Sequence, residues 1–132
     1  MAEQAMTGTE PTGQPGQLSV TTTAVDDRIR VVTVTGEIDQ QTSQPLQQAL
    51  NATPPAPSLL VVDMSSVSFM DSTGINIFIA AHRSLAADGG GLRLAALTDP
   101  VLRTVRLVGV DTFIDCHLTV EQALNGGHPH PQ

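Results

Sequence analysis

The chain has 132 residues, enough for one domain with one core, and 40% apolar against 14% charged residues marks a folded protein. Its net charge is −7, its six basic residues are scattered arginines, and its only aromatics are three Phe, which excludes a nucleic-acid surface and a stacking platform for bases or sugars. No apolar run nears the roughly 18 residues of a membrane span, no leader pattern opens the chain, and the single Cys116 closes no internal disulfide, so a cytoplasmic protein is expected.

Residues 1–17 are rich in Gly, Pro, Thr and Gln and almost free of large aliphatics, so a disordered tail is expected there. From Leu18 the pattern changes. Leu18, Val20, Thr22 and Ala24 alternate with polar neighbours, the period of a strand with one buried face. Val25 to Arg28 reads as a turn, and Ile29 to Thr35 as a second strand pairing back as a hairpin, with Gly36 ending it.

Glu37, Ile38 and Asp39 follow, then a polar helix carrying Leu46, Ala49 and Leu50. Thr42 or Asp39 is its expected N-cap, with Pro45 in the first turn. Pro54, Pro55 and Pro57 end it. Leu59 to Asp63 reads as a central strand, apolar on both faces because helices cover both.

A polar loop then leads through Phe69 and Met70 to Asp71, Ser72, Thr73 and Gly74, where a helix to about Ala87 begins. Its inward stripe is Ile75, Phe78, Ile79, His82, Leu85 and Ala86. Helix N-termini carry unpaired N–H groups and partial positive charge. A hydroxyl there can cap the helix, and a phosphate there is electrostatically favoured, so Ser72 has two possible roles.

Gly89 to Gly91 form a loose stop, not a phosphate loop. Leu92, Leu94 and Ala96 open a strand, and Thr98 or Asp99 caps a helix with Pro100 at its start. That helix carries Val101, Leu102, Val105 and Leu107 and stops near Gly109. A short strand over Phe113 to Cys116 and a capping box from Thr119 to Gln122 precede a second expected tail, 125–132. The order ββαβαβαβα describes a single small α/β domain over 18–124: a mixed, mostly parallel sheet with an antiparallel edge strand and alternating helices.

Other candidate groups have plain readings. His82 belongs to a core boundary and Cys116 to a strand as a small hydrophobe. Asp63 accepts N–H bonds where its strand closes. His117, His128 and His130 lack metal-ligand spacing, and no Gly-x-Ser-x-Gly elbow accompanies Ser72. Neither an enzyme nor a cofactor is expected.

Three strings, Val34 to Asp39 (VTGEID), Val61 to Ile75 (VVDMSSVSFMDSTGI) and Leu107 to Phe113 (LVGVDTF), occur in an order and spacing that resemble the STAS domain of bacterial anti-sigma factor antagonists. The resemblance implies partner switching in a stress response. The unphosphorylated antagonist binds an anti-sigma factor that is itself a Ser/Thr kinase and frees the sigma factor; phosphorylation ends binding, and a PP2C-type phosphatase resets it. By motif position it implies Ser72 as phosphoacceptor, Asp71, Thr73 and Gly74 as its contact loop, and Glu37 and Asp39 as the acidic loop after the second strand. Thr73 is the alternative acceptor. The resemblance leaves room for a weak homodimer, and for a non-switching STAS scaffold in a stress-signalling or lipid-transport complex, against which a hydroxyl at position 72 argues.

Overall fold

The computed structural model describes residues 18–51 and 58–125; the expected tails, apart from Asn125, which ends the last helix, and the prolines at 54, 55 and 57 lie outside them. Five strands form one sheet, β1 (Ser19–Ala24), β2 (Ile29–Ile38), β3 (Leu59–Met70), β4 (Gly91–Ala95) and β5 (Asp115–His117), ordered in space as in sequence. β1 pairs antiparallel with β2, and every later pair is parallel. Helices α1 (Gln44–Leu50), α2 (Ser72–Ala87), α3 (Asp99–Val108) and α4 (Val120–Asn125) alternate with the strands, with a 3-10 turn at Val110–Thr112. This is the mixed α/β sheet that the sequence order implies.

Successive crossovers of one hand, each stepping to the next strand in the same direction, put their helices on one face. Accordingly Val32, Val34, Leu60, Val62, Leu92 and Leu94 pack with Leu46, Leu50, Phe78, Leu85, Val101 and Val105 in the main core. The opposite face buries a smaller cluster, Val61 and Ala95 against Ala123 of α4. The doubly apolar run Leu59 to Val62 follows from lying between these layers.

Several boundaries differ from the sequence reading. β2 continues through Gly36 to Ile38, and β3 runs on from Asp63 to Met70, so the expected polar loop is strand. Beyond Asp63, β3 is paired on the β2 side alone, with register shifts between Thr33 and Thr35 and between Gly36 and Glu37. Gly36, at φ 120°, takes up the second shift in a region that other residues avoid.

Along β1, Leu18 is buried and Val20 half-buried, but Thr22 and Ala24 are exposed, because α1 is short and covers only the start of this edge strand. Within α2, Ala86 is exposed while Ile77 and Ala81 are buried. In α3, Leu107 lies two positions past inward-facing Val105, so it points the other way and is 81% exposed. Ala96 lies just beyond β4. The 3-10 turn takes up Phe113 and Ile114, whose N–H groups donate to Val110 O, so β5 starts two residues later than expected.

The glycine stop of α2 is bonded rather than loose. Gly90 N–H donates to Leu85 O at 2.7 Å and Gly89 N–H to Ala86 O at 3.0 Å, with Gly89 left-handed at φ 82°.

Candidate functional site

The parallel strands end together, and at this end β3 turns into α2 through a single residue. Met70 pairs with Ile38, and Asp71 N–H continues the ladder to Ile38 O at 3.2 Å. Asp71 is extended (φ −104°, ψ −166°) and is the N-cap. Its Oδ1 accepts the Thr73 N–H at 2.8 Å, and its backbone carbonyl accepts from Gly74 at 3.1 Å and Ile75 at 3.4 Å.

The N-cap is therefore Asp71 and not Ser72. Ser72 occupies the first helical position, is exposed, and its hydroxyl makes no hydrogen bond among the described residues. Thr73 is half-buried. Gly74 is buried, and a Cβ there would stand 2.5 Å from Met70 Cγ and 2.9 Å from Ile38 Cγ2. Only glycine lets the first turn sit this close to the strand ends.

Glu37 and Asp39 lie on the segment beside this corner but do not share one loop. Glu37 is a strand residue opposite Phe69, with an exposed side chain. Asp39 follows the strand and is tied into a knot. Its Oδ1 accepts N–H bonds from Gln41 (2.9 Å) and Thr42 (3.0 Å), and Thr42 Oγ1 accepts the Asp39 N–H at 3.0 Å. The same hydroxyl donates to Glu37 O at 2.6 Å. This knot replaces the expected cap of α1, whose N-cap is Ser43, without a side-chain bond.

Between α1 and α2, beside the corner, lies an open cleft of about 390 Å³ lined by Gln40, Ser43, Gln47, Thr73, Asn76 and Ile77, among others. Sequence reasoning missed the carboxamides of Gln40, Gln47 and Asn76. The available signal was Asn76, a polar residue one turn after Ser72 inside an otherwise apolar stretch.

The remaining candidates lie elsewhere. Asp63 is inside β3, where its Oδ1 accepts the Ser65 N–H at 3.0 Å. His82 is half-buried against Phe113, ring centroids 5.6 Å apart. His117 is buried, with an Nε2 that has no partner among the described residues, and burial lowers its pKa, helped by Arg93 and opposed by Asp115. Burial pushes the Cys116 thiol up to about 11, with Asp111 and Asp115 adding to the effect. His128 and His130 fall outside the described residues.

The STAS domain pattern matches residues 21–123. An anti-sigma-B factor antagonist of Listeria monocytogenes is 32% identical over 96 residues, covering 72% of this chain and 83% of that protein. The crystal structure of an anti-sigma factor antagonist from Mycobacterium paratuberculosis is similar at a TM-score of 0.76 and 31% identity, over 86% of this chain and 96% of that one. The phosphorylated form of the Bacillus cell fate determinant SpoIIAA shares the fold alone, at a TM-score of 0.65 and 19% identity, over 81% of this chain and 97% of that one.

Proposed function

We propose that this chain, which belongs to the STAS domain family, is an anti-sigma factor antagonist whose binding to a kinase-type anti-sigma factor is switched off by phosphate on Ser72. One observation carries the switch: the Ser72 hydroxyl is exposed and unbonded because Asp71 holds the cap. The acceptor can be modified without dismantling the helix start.

In the unphosphorylated state the corner offers the partner a flat, uncharged hydroxyl between Asp71 and the half-buried Thr73. Phosphate adds about 1.5 to 2 negative charges at pH 7 and three acceptor oxygens. Within the free protein the N-terminus of α2 tolerates them, since its dipole favours an anion. Inside an interface the same group must be desolvated beside Asp71 and near the Glu37 segment, where like charge opposes it. A loss of about 3 kcal/mol corresponds to roughly a hundredfold in affinity. Such a switch needs no refolding. A PP2C-type phosphatase returns the hydroxyl, and freed sigma factor acts in the cytoplasm.

Incubation with the cognate kinase-type anti-sigma factor and Mg-ATP, followed by peptide mapping in a mass spectrometer, tests the assignment. A single phosphate on Ser72 is expected. Phosphate on Thr73 or elsewhere, or none, overturns it.

A further inference from the structure

The two edges of the sheet are built differently. β5 is three residues long and carries Asp115, whose carboxylate lies 4.0 Å from the Arg93 guanidinium. A short, charged strand is the usual means of blunting an edge against another chain. β1 is six residues long, SVTTTA, with neither charge nor proline. Its register with β2 runs unbroken from Ser19 opposite Thr35 to Ala24 opposite Arg30, with no bulge to twist the edge away. Thr21 to Ala24 are exposed, and β1 ends the sheet, so its outer backbone groups have no strand partner among the described residues.

We propose that β1 pairs antiparallel with β1 of a second copy of this chain, about a two-fold axis at Thr21 or Thr22, joining the two sheets into one. A two-fold interface sets one surface against itself, so it must be self-complementary. An uncharged strand on a chain of net charge −7 meets that demand where most other surface does not. The nearest acids, Asp26 and Asp27, sit in the turn after β1. Antiparallel pairing sends the two turns to opposite ends of the ladder, so like charges do not face each other. Asp26 is also occupied, its Oδ1 accepting N–H bonds from Arg28 at 2.7 Å and Ile29 at 3.0 Å. Threonines facing their own copies across the axis are favourable cross-strand pairs.

The pairing has a consequence for the corner at Ser72. Because the copies run antiparallel, their two Ser72 corners lie at opposite ends of the joined sheet. Both remain open, so dimerisation is independent of phosphorylation and each dimer presents two switches.

Sedimentation velocity of the full chain from about 1 to about 500 µM tests this by mass action. The average mass rises toward that of a dimer with concentration, and Thr22→Lys or Thr21→Lys, each on an exposed position, weakens the association at least about tenfold. Circular dichroism verifies that these variants fold, and Ser72→Asp leaves the mass profile unchanged. A monomer at every concentration overturns the proposal, whether residues 1–17 cover the edge or leave it bare. A dimer indifferent to both lysines overturns it too, by placing the contact elsewhere.

Discussion

Asp71 closes the helix that Ser72 opens: its carboxylate accepts the Thr73 N–H at 2.8 Å, and the Ser72 hydroxyl is left in solvent. Of the two residues that could cap this helix, Asp71 does so, and the Ser72 hydroxyl is not used for it. The bonds that hold the corner are made by Asp71 and do not involve the Ser72 hydroxyl.

Stability separates the two roles. Asp71→Ala removes the cap and lowers stability by about 1 kcal/mol. Ser72→Ala, at an exposed position without a bond, changes it by less than about 0.5 kcal/mol. Urea midpoints of the two variants measure this. The reverse order would make Ser72 the cap.

Gly74→Ala sets a Cβ against the buried Met70 and Ile38 side chains, and Met70 is only 2% exposed, with little room to retreat. Overpacking of this kind costs about 1 to 3 kcal/mol. The variant's urea midpoint falls accordingly, and an unchanged midpoint would mean that Met70 relocates freely.

Glu37 and Asp39 part company under mutation. Asp39→Ala removes the carboxylate that accepts from Gln41 and Thr42, leaving Thr42 N–H only its bond to Asp39 O, and stability drops by about 1 kcal/mol. Glu37→Gln, on an exposed strand position, leaves stability unchanged and acts on partner binding, read as altered salt dependence of the association rate.

Much of the fold was legible in the sequence because its signals are local. The alternation of Leu92 and Leu94, the apolar run at Leu59 and the stripe of Ile75, Phe78 and Leu85 each mark an element through its own periodicity. What was not legible depends on distant partners. Residues 64–70 look like a loop, and they form strand because β2 extends alongside them. Asp39 and Thr42 look like alternative caps, and they bond each other. At the corner both Asp71 and Ser72 are good N-cap residues, so only backbone geometry separates them. The family strings pointed to this corner without showing which side-chain oxygen holds the cap.

The sheet edge at β5 predicts two pH responses. His117 is held below the ordinary histidine value of 6.5 by burial, so the unfolded chain binds the extra proton first and stability falls as pH drops below about 6.5. His117→Gln flattens this part of a plot of urea midpoint against pH. The Cys116 thiol, raised to about 11, is scarcely ionised at pH 8, so iodoacetamide alkylates it roughly a hundredfold more slowly than the same cysteine in the unfolded chain. Equal rates would place the thiol in solvent.

The central claim is that phosphate on Ser72 abolishes a contact made by a free hydroxyl on an unchanged scaffold. Calorimetric titration of the kinase-type anti-sigma factor with unmodified and with stoichiometrically phosphorylated protein tests it most directly. At least about a hundredfold weaker binding of the phosphorylated form, with Ser72→Ala binding like the unmodified protein, is the predicted result. Equal affinities for the two forms would contradict the account.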